Sequence, residues 1–268
     1  MRVNDYNKSM PSRMRSRRVE AIVLRHADWG EADRLLWLFT REMGKLQAVA
    51  KGVRKPRSRK AGHLEPFTRV ELLLAQGRDL PIVTQAEARD VYQDLREDLV
   101  RVGYAAYIIE LLDRFTYGEG ENIGLYRLLC ETLARINREV DVAFAVRYYE
   151  VRLLDLVGFR PELIHCLDCG KEIIAEDQFF SFEKGGVLCP NCGPKEAGKR
   201  AVSLPALRVL RHFQRSNYKE AQRARLSSEV DRELENLMGS YITYLLERGL
   251  NSPDFLRRVR SMAQDGEL

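Results

Sequence analysis

Four of the five cysteines in this chain stand as two close pairs, Cys166-x2-Cys169 and Cys189-x2-Cys192, with nineteen residues between the pairs. Two thiolates from each pair can close a tetrahedron around a soft divalent ion, and the spacing is that of a four-cysteine zinc ribbon or knuckle. A shell of four sulfurs leaves no position open for a substrate. The implied chemistry is therefore structural: one Zn²⁺ that holds a small module together. Reduced free thiols or disulfides are the competing use of these residues, and disulfides belong to oxidising compartments. His165 precedes Cys166 and offers an alternative ligand, but a fourth cysteine is present and sulfur suits the site better. Cys130 stands apart on an expected helix as a small apolar residue.

A second constellation is one of charge. The decapeptide from Lys51 to Lys60 carries Lys51, Arg54, Lys55, Arg57, Arg59 and Lys60 with no acid among them. Six like charges in ten residues repel one another unless a polyanion lies nearby. Residues 1–62 hold 16 Lys/Arg against 6 Asp/Glu, whereas the remaining chain is net acidic at −5 of a total of +5. Such segregation points to a polyanion-binding N-terminal part joined to a body with other duties. Phosphate contacts are expected from the six cations of this stretch and from Arg25, with Arg17 and Arg18 as a neighbouring path. Trp29, Trp37 and Phe39 have rings able to stack on bases. Trp37 and Phe39 sit in an apolar strand and are expected in a core, leaving Trp29 on its loop as the exposed ring.

No catalytic constellation is visible. His26, His63, His165 and His212 have no metalloprotease spacing, and no Gly-x-Ser-x-Gly elbow occurs. The stretch from Gly193 to Lys199 imitates a phosphate-binding loop, yet Arg200 stands where Ser or Thr would meet magnesium, and the preceding residue is a metal-ligand cysteine instead of a buried strand. A non-enzymatic role is expected. No apolar run is long enough to span a membrane, and the basic N-terminus lacks a signal-peptide core, so the expected location is the cytoplasm without a membrane partner.

The elements that must position these groups follow from periodicity. Arg18–Arg25, Leu35–Thr40, a short run around Gln47–Ala50, Phe67–Ala75 and Leu80–Ala88 read as five strands, with a turn at Glu42-Met43-Gly44 and a loop at 26–31. Five short strands in about 75 residues suggest a Greek-key barrel of the OB type. From Tyr92 the period becomes helical. Helices are expected around 102–115 with a glycine cap at 117–120, then over 125–136, 142–157, 204–214 and 229–248, with Pro253 opening a last one. Between the cysteine pairs, 179–182 and 187–188 suggest a hairpin. The fold class is α+β: an N-terminal OB-fold barrel followed by an α-helical domain with an inserted four-cysteine zinc module. The expected boundaries are a disordered tail at 1–14, the barrel at 15–91, the helical domain at 92–165 and 200–262, the insert at 166–199 and a tail at 263–268, with Met10 or Met14 as alternative starts of the folded part.

Ala21 to Leu72, from AIVLRHADWGEADRLL through GVRKPRSRK to PFTRVEL, resembles the N-terminal domain of the RecO family of recombination mediators. YIIELLDRF at 107–115, RYYEVRLLDLVGFRPEL at 147–163 and the four-cysteine insert resemble its central and C-terminal parts, so the likeness covers roughly residues 15–262. The resemblance implies a protein of recombinational DNA repair, associated with the nucleoid. It would bind single- and double-stranded DNA, anneal complementary strands and act with RecR, often with RecF, to load RecA onto DNA covered by single-strand-binding protein. It also implies that the acidic C-terminal tail of single-strand-binding protein docks on the helical domain, at the segment starting with Arg147. For Arg147 the competing reading is a pair with an acid on its own helix. Some members of the family lack the cysteines, so the metal is not needed for the shared function. Without the resemblance, the barrel and the cysteine cluster would equally suit an RNA-binding or ribosome-associated zinc protein.

Overall fold

The computed structural model describes residues 16–116, 120–247 and 249–265. The tail expected at 1–14 and most of the cap expected at 117–120 lie outside them. Five strands, β1 (Ser16–Trp29), β2 (Asp33–Thr40), β3 (Gly44–Ala50), β4 (Arg69–Ala75) and β5 (Ile82–Asp90), form a closed barrel in the order β1-β2-β3-β5-β4. β1 is long enough to serve two neighbours: its first half pairs with β4 from Ser16↔Ala75, and its second half pairs with β2 as far as Trp29↔Asp33. A register shift between Val23 and Arg25 bends it between the two tasks. The loop expected at 26–31 is thereby reduced to a turn, because residues 26–29 continue the β1–β2 ladder. β3 and β5 close the barrel in parallel at Val49↔Ile82.

Strict alternation in β3 and β4 sends one face of each strand inward. Val19, Ala21, Val23, Leu36, Leu38, Leu46, Val70, Leu72, Leu74 and Val83 fill the interior. Gly44 starts β3 with φ at +67°, and a Cβ there would lie 2.5 Å from the carbonyl oxygen of Gly120, so conformation and space both demand glycine.

β2 is also buried on its outer face, where Phe39 stacks on Tyr126 with ring centroids 6.5 Å apart. α1 (Gln93–Glu97), α2 (Leu99–Phe115) and α3 (Ile123–Arg138) follow the barrel. Tyr126 also donates to Glu20 of β1 at 3.1 Å, and Asn137 accepts from the Leu95 amide at 3.0 Å. These contacts move a boundary. Two compact units are present: the described residues up to Ala105 with Thr116–Arg138, and Ala106–Phe115 with the described residues from Glu139 onward. The barrel unit therefore includes helices that the sequence pattern assigns to a separate domain beginning at 92.

In the second unit, α4 (Val142–Leu156) is buried nearly all round, from Val142 to Leu154. Asp141 caps it by accepting from the Phe144 amide. A small sheet of β6 (Gln178–Ser181), β7 (Gly186–Leu188) and β8 (Arg200–Val202), in the order β7-β6-β8, carries the cysteine module. β8 lies beyond the boundary expected at 199, because Arg200–Val202 hydrogen-bond to β6. Four helices complete the unit: α5 (Leu204–Arg215), α6 (Tyr218–Ala221), α7 (Ser228–Leu246) and α8 (Ser252–Gln264). Ser203 caps α5, and Glu233 of α7 grips the Ser203 amide and hydroxyl at 2.7 and 2.6 Å. Pro253 stands in the first turn of α8, as expected, but that helix runs through 263–264, where a tail is expected. No described helix is long and apolar enough to cross a membrane.

Candidate metal centre and nucleic-acid interface

Cys166, Cys169, Cys189 and Cys192 meet as the spacing predicts, with all four sulfurs within 4.8 Å of one another. A tetrahedral zinc–thiolate shell has sulfur–sulfur edges of about 3.8 Å. The Cys169 and Cys189 sulfurs are 3.9 Å apart, so the donor set could hold a metal ion and is consistent with a zinc module. Two tight turns create the set. The Gly170 amide donates to the Cys166 carbonyl at 2.9 Å, and the Gly193 amide to the Cys189 carbonyl at 2.8 Å. Gly193 is confined by its surroundings, since a Cβ there would stand 2.2 Å from the Phe179 ring.

Cys166 and Cys192 differ in their surroundings. Burial opposes ionisation of Cys166, yet backbone amides of Cys169, Cys189 and Asp168 bring it down to about 6. Hydrogen bonding to Cys189, together with burial and Asp168, pushes Cys192 up. His165 faces Glu162, whose carboxylate is 3.9 Å from its ring and accepts from the His165 amide. Cys130 lies apart in α3, and burial raises its thiol to about 11.

The basic stretch forms an irregular loop between β3 and β4, followed by a short 3-10 turn at Ala61–His63. Val53 and Leu64 are buried in the barrel core and anchor it. Asp33 accepts from the Gly52 amide at 2.7 Å, and the Arg54 amide donates to the Ala32 carbonyl at 2.9 Å. The six cations are not equivalent. Arg54 pairs with Asp28 at 3.1 Å, and half-buried Lys60 donates from Nζ to the carbonyls of Val83 and Lys51 at 2.9 and 3.1 Å. Burial lowers the Lys60 pKa, with Asp33 acting against it. Lys51, Lys55, Arg57 and Arg59 are exposed and have no ion pair among the described residues. Arg25 lies over the Trp37 ring, 3.6 Å from its centroid, on the outer face of β1 and β2. Trp37 is therefore half-buried beneath a cation, Phe39 is in the core, and Trp29 is 52% exposed beside the turn that the basic loop contacts.

Arg147 stands differently from an exposed recognition residue. Its side chain is buried in α4, with the Glu150 carboxylate accepting at 2.8 Å, and Tyr107 donates to the other Glu150 oxygen at 2.6 Å. Burial is the largest influence on Glu150 and lifts its carboxyl to about 7 despite Arg147 and Tyr107. The pairing within its own helix is thus realised. Arg147 also borders a cavity of about 1090 Å³ whose walls include Arg200, Arg257, Phe182, Tyr244 and Leu256. The sequence pattern shows no sign of this cavity, because its wall draws on α2, α4, β8, α7 and α8, spread from Tyr107 to Gln264.

Comparison with known proteins covers nearly all of this structure. The family model described as Recombination protein O N terminal matches residues 14–92, and that described as Recombination protein O C terminal matches residues 96–254. The DNA repair protein RecO of Roseiflexus sp. is 40% identical over 245 residues, 91% of this chain and 86% of that protein. The proteins of the same name from Symbiobacterium thermophilum and Dehalococcoides mccartyi are 36% and 33% identical, over 91% and 86% of this chain and 97% and 91% of theirs. With the barrel, the helical unit and the cysteine module all inside these matches, the chain belongs to the RecO family of DNA repair proteins.

Proposed function

We propose that this chain is a non-enzymatic recombination mediator that binds single- and double-stranded DNA and anneals complementary strands. In this reading it acts with RecR, and with RecF, to help load RecA onto DNA covered by single-strand-binding protein, in the cytoplasm at the nucleoid. The observation that carries the DNA-binding part is the set of exposed, unpaired cations Lys51, Lys55, Arg57 and Arg59 on one anchored barrel loop, beside Arg25 and the exposed Trp29. Arg54 and Lys60 belong to the same surface but spend much of their hydrogen-bonding capacity on the loop itself. One Zn²⁺ on Cys166, Cys169, Cys189 and Cys192 would contribute folding free energy to the second unit and take no part in chemistry.

The cavity beside Arg147 suits the acidic tail of single-strand-binding protein. Arg200 supplies positive charge at its wall, which Glu235 and Glu247 also line, while Arg257 is paired with Asp254; Phe182, Tyr244 and Leu256 supply apolar surface for an aromatic end. Arg147 would act there from beneath, as a buried charge.

A salt titration tests the DNA reading. Contacts to phosphates release condensed counterions, so log affinity for single-stranded DNA should fall linearly with log salt. Replacing Lys51, Lys55, Arg57 and Arg59 by Ala should flatten that slope by about 0.7 per lost contact and reduce annealing. Equal slopes with a folded barrel, or structured RNA outcompeting DNA with no annealing, would sink it.

A further inference from the structure

The second unit carries no net excess of positive charge: residues 106–115 and 139–268 together hold 20 Lys/Arg against 22 Asp/Glu. Within it, residues 199–225 hold eight Lys/Arg against one acid, Glu220. That acid is already committed, because Glu220 closes a capping box at the start of α6, accepting from the Asn217 amide while Asn217 accepts from the Glu220 amide. Arg208, Arg215, Arg223 and Arg225 are exposed, and none is ion-paired among the described residues. This contrasts with Arg69, Arg89, Arg152 and Arg260, each held by a carboxylate.

Geometry gathers these cations. Arg208, Arg211 and Arg215 recur at i, i+3 and i+7, so they form one stripe along α5. Beside it a cleft of about 420 Å³ is lined by these three arginines, Val209, His212 and Ala224. The platform beneath is fixed. Phe144, Tyr148, Phe213 and Tyr218 pack edge to face at 5.1 to 5.9 Å, and His212 bonds Ser216 and the Glu220 carbonyl across the α5–α6 turn. Arg211 is partly used as structure, donating to the Leu163 carbonyl at 2.8 Å.

We propose that the arginine stripe of α5 and the 223–225 turn form a second DNA-contacting surface, separate from the barrel loop, that takes the phosphate backbone of a single strand. Seven residues of helix rise about 10.5 Å, long enough to meet more than one phosphate along a strand. Five of the six cations from 208 to 225 are arginines, whose planar fork matches a phosphate better than an ammonium does. An acidic peptide fits less well, because Val209 and Ala224 offer no pocket for a large apolar anchor. A protein that brings two polyanions together gains from neutralising both, and a second surface provides for the second strand. This inference rests on the DNA-binding reading above.

The test compares three full-length, metal-loaded proteins by fluorescence anisotropy with a labelled single-stranded oligonucleotide over a salt series. They are the wild type, the barrel-loop variant K51A/K55A/R57A/R59A and the variant R208A/R215A/R223A/R225A. The α5 variant should lose affinity and about 0.7 of slope per phosphate contact removed, and the pair R223A/R225A, outside any helix, should lose about half as much. Unchanged slope and Kd in both α5 variants, with an unchanged melting temperature, would overturn the second surface. Unchanged binding in the barrel-loop variant would instead overturn the first reading, so the two failures are separable.

Discussion

Arg147 donates to Glu150 at 2.8 Å within one helix, and both side chains are almost wholly shut off from solvent. Removing one partner of such a pair leaves an uncompensated buried charge, at a cost of about 3–5 kcal/mol. Arg147→Ala should therefore lower the urea midpoint of the second unit markedly. Arg200→Ala, at the exposed wall of the same cavity, should leave the midpoint in place and weaken binding of an acidic, aromatic-ended peptide. If Arg147→Ala unfolds at the wild-type midpoint, the pair contributes nothing to the fold.

Lys60 and Lys55 should separate stability from binding. Lys60→Ala removes the donor to the Val83 and Lys51 carbonyls, which should destabilise the barrel by about 1–2 kcal/mol. Lys55→Ala removes an exposed side chain and should affect only the salt-dependent affinity. Denaturant melts and anisotropy on both variants check this; the reverse pattern would exchange their roles.

Metal removal should act locally. With its four thiolates unbound, the module loses its cross-link, so amides of β6, β7 and β8 should exchange hydrogen faster after chelation or in Cys189→Ser. Amides of β1 to β5 should keep their protection. Elemental analysis should find one zinc per chain, and a preparation without metal whose β6–β8 amides are as protected as before would refute the structural role.

Low pH should loosen α8. Glu110 accepts from the Asn251 and Ser252 amides at 3.0 and 2.8 Å and from the Ser252 hydroxyl, holding the start of that helix. Burial works against its ionisation, but these hydrogen bonds and Arg114 keep its carboxyl below the ordinary 4.5. A depressed folded-state pKa gives stability that is present above the unfolded value and lost as pH falls through the folded one. Exchange of α8 amides should accelerate below about pH 4.5, and Glu110→Gln should show the accelerated rate at neutral pH. Identical profiles for the two proteins would exclude Glu110 as the anchor.

The cysteine cluster was legible because its residues come in pairs three positions apart, a local pattern that no tertiary contact can hide. The barrel was legible for a similar reason, since strands such as β4 alternate strictly. The Phe39–Tyr126 stack was not, being set by packing between residues 87 positions apart. Nor was the burial of Arg147, because α4 is covered nearly all round by partners distant in sequence, such as Tyr107 and Phe213. The arginines of α5 were concealed by addition: summed with the rest of the chain beyond residue 62, they vanish into a net negative total.

The basic loop of the barrel enters any encounter already ordered. Its path is pinned at Gly52 by Asp33, at Arg54 by Ala32 and at Lys60 by Val83, with Val53 and Leu64 sunk in the core. Fixing a residue's backbone costs about 1–2 kcal/mol of conformational entropy, and here that cost is met when the barrel folds. Docking a polyanion should accordingly show a small entropy of ordering for the protein and little change in heat capacity. Cutting Asp33 back to Ala should shift that cost into the binding step, slowing association more than it speeds release.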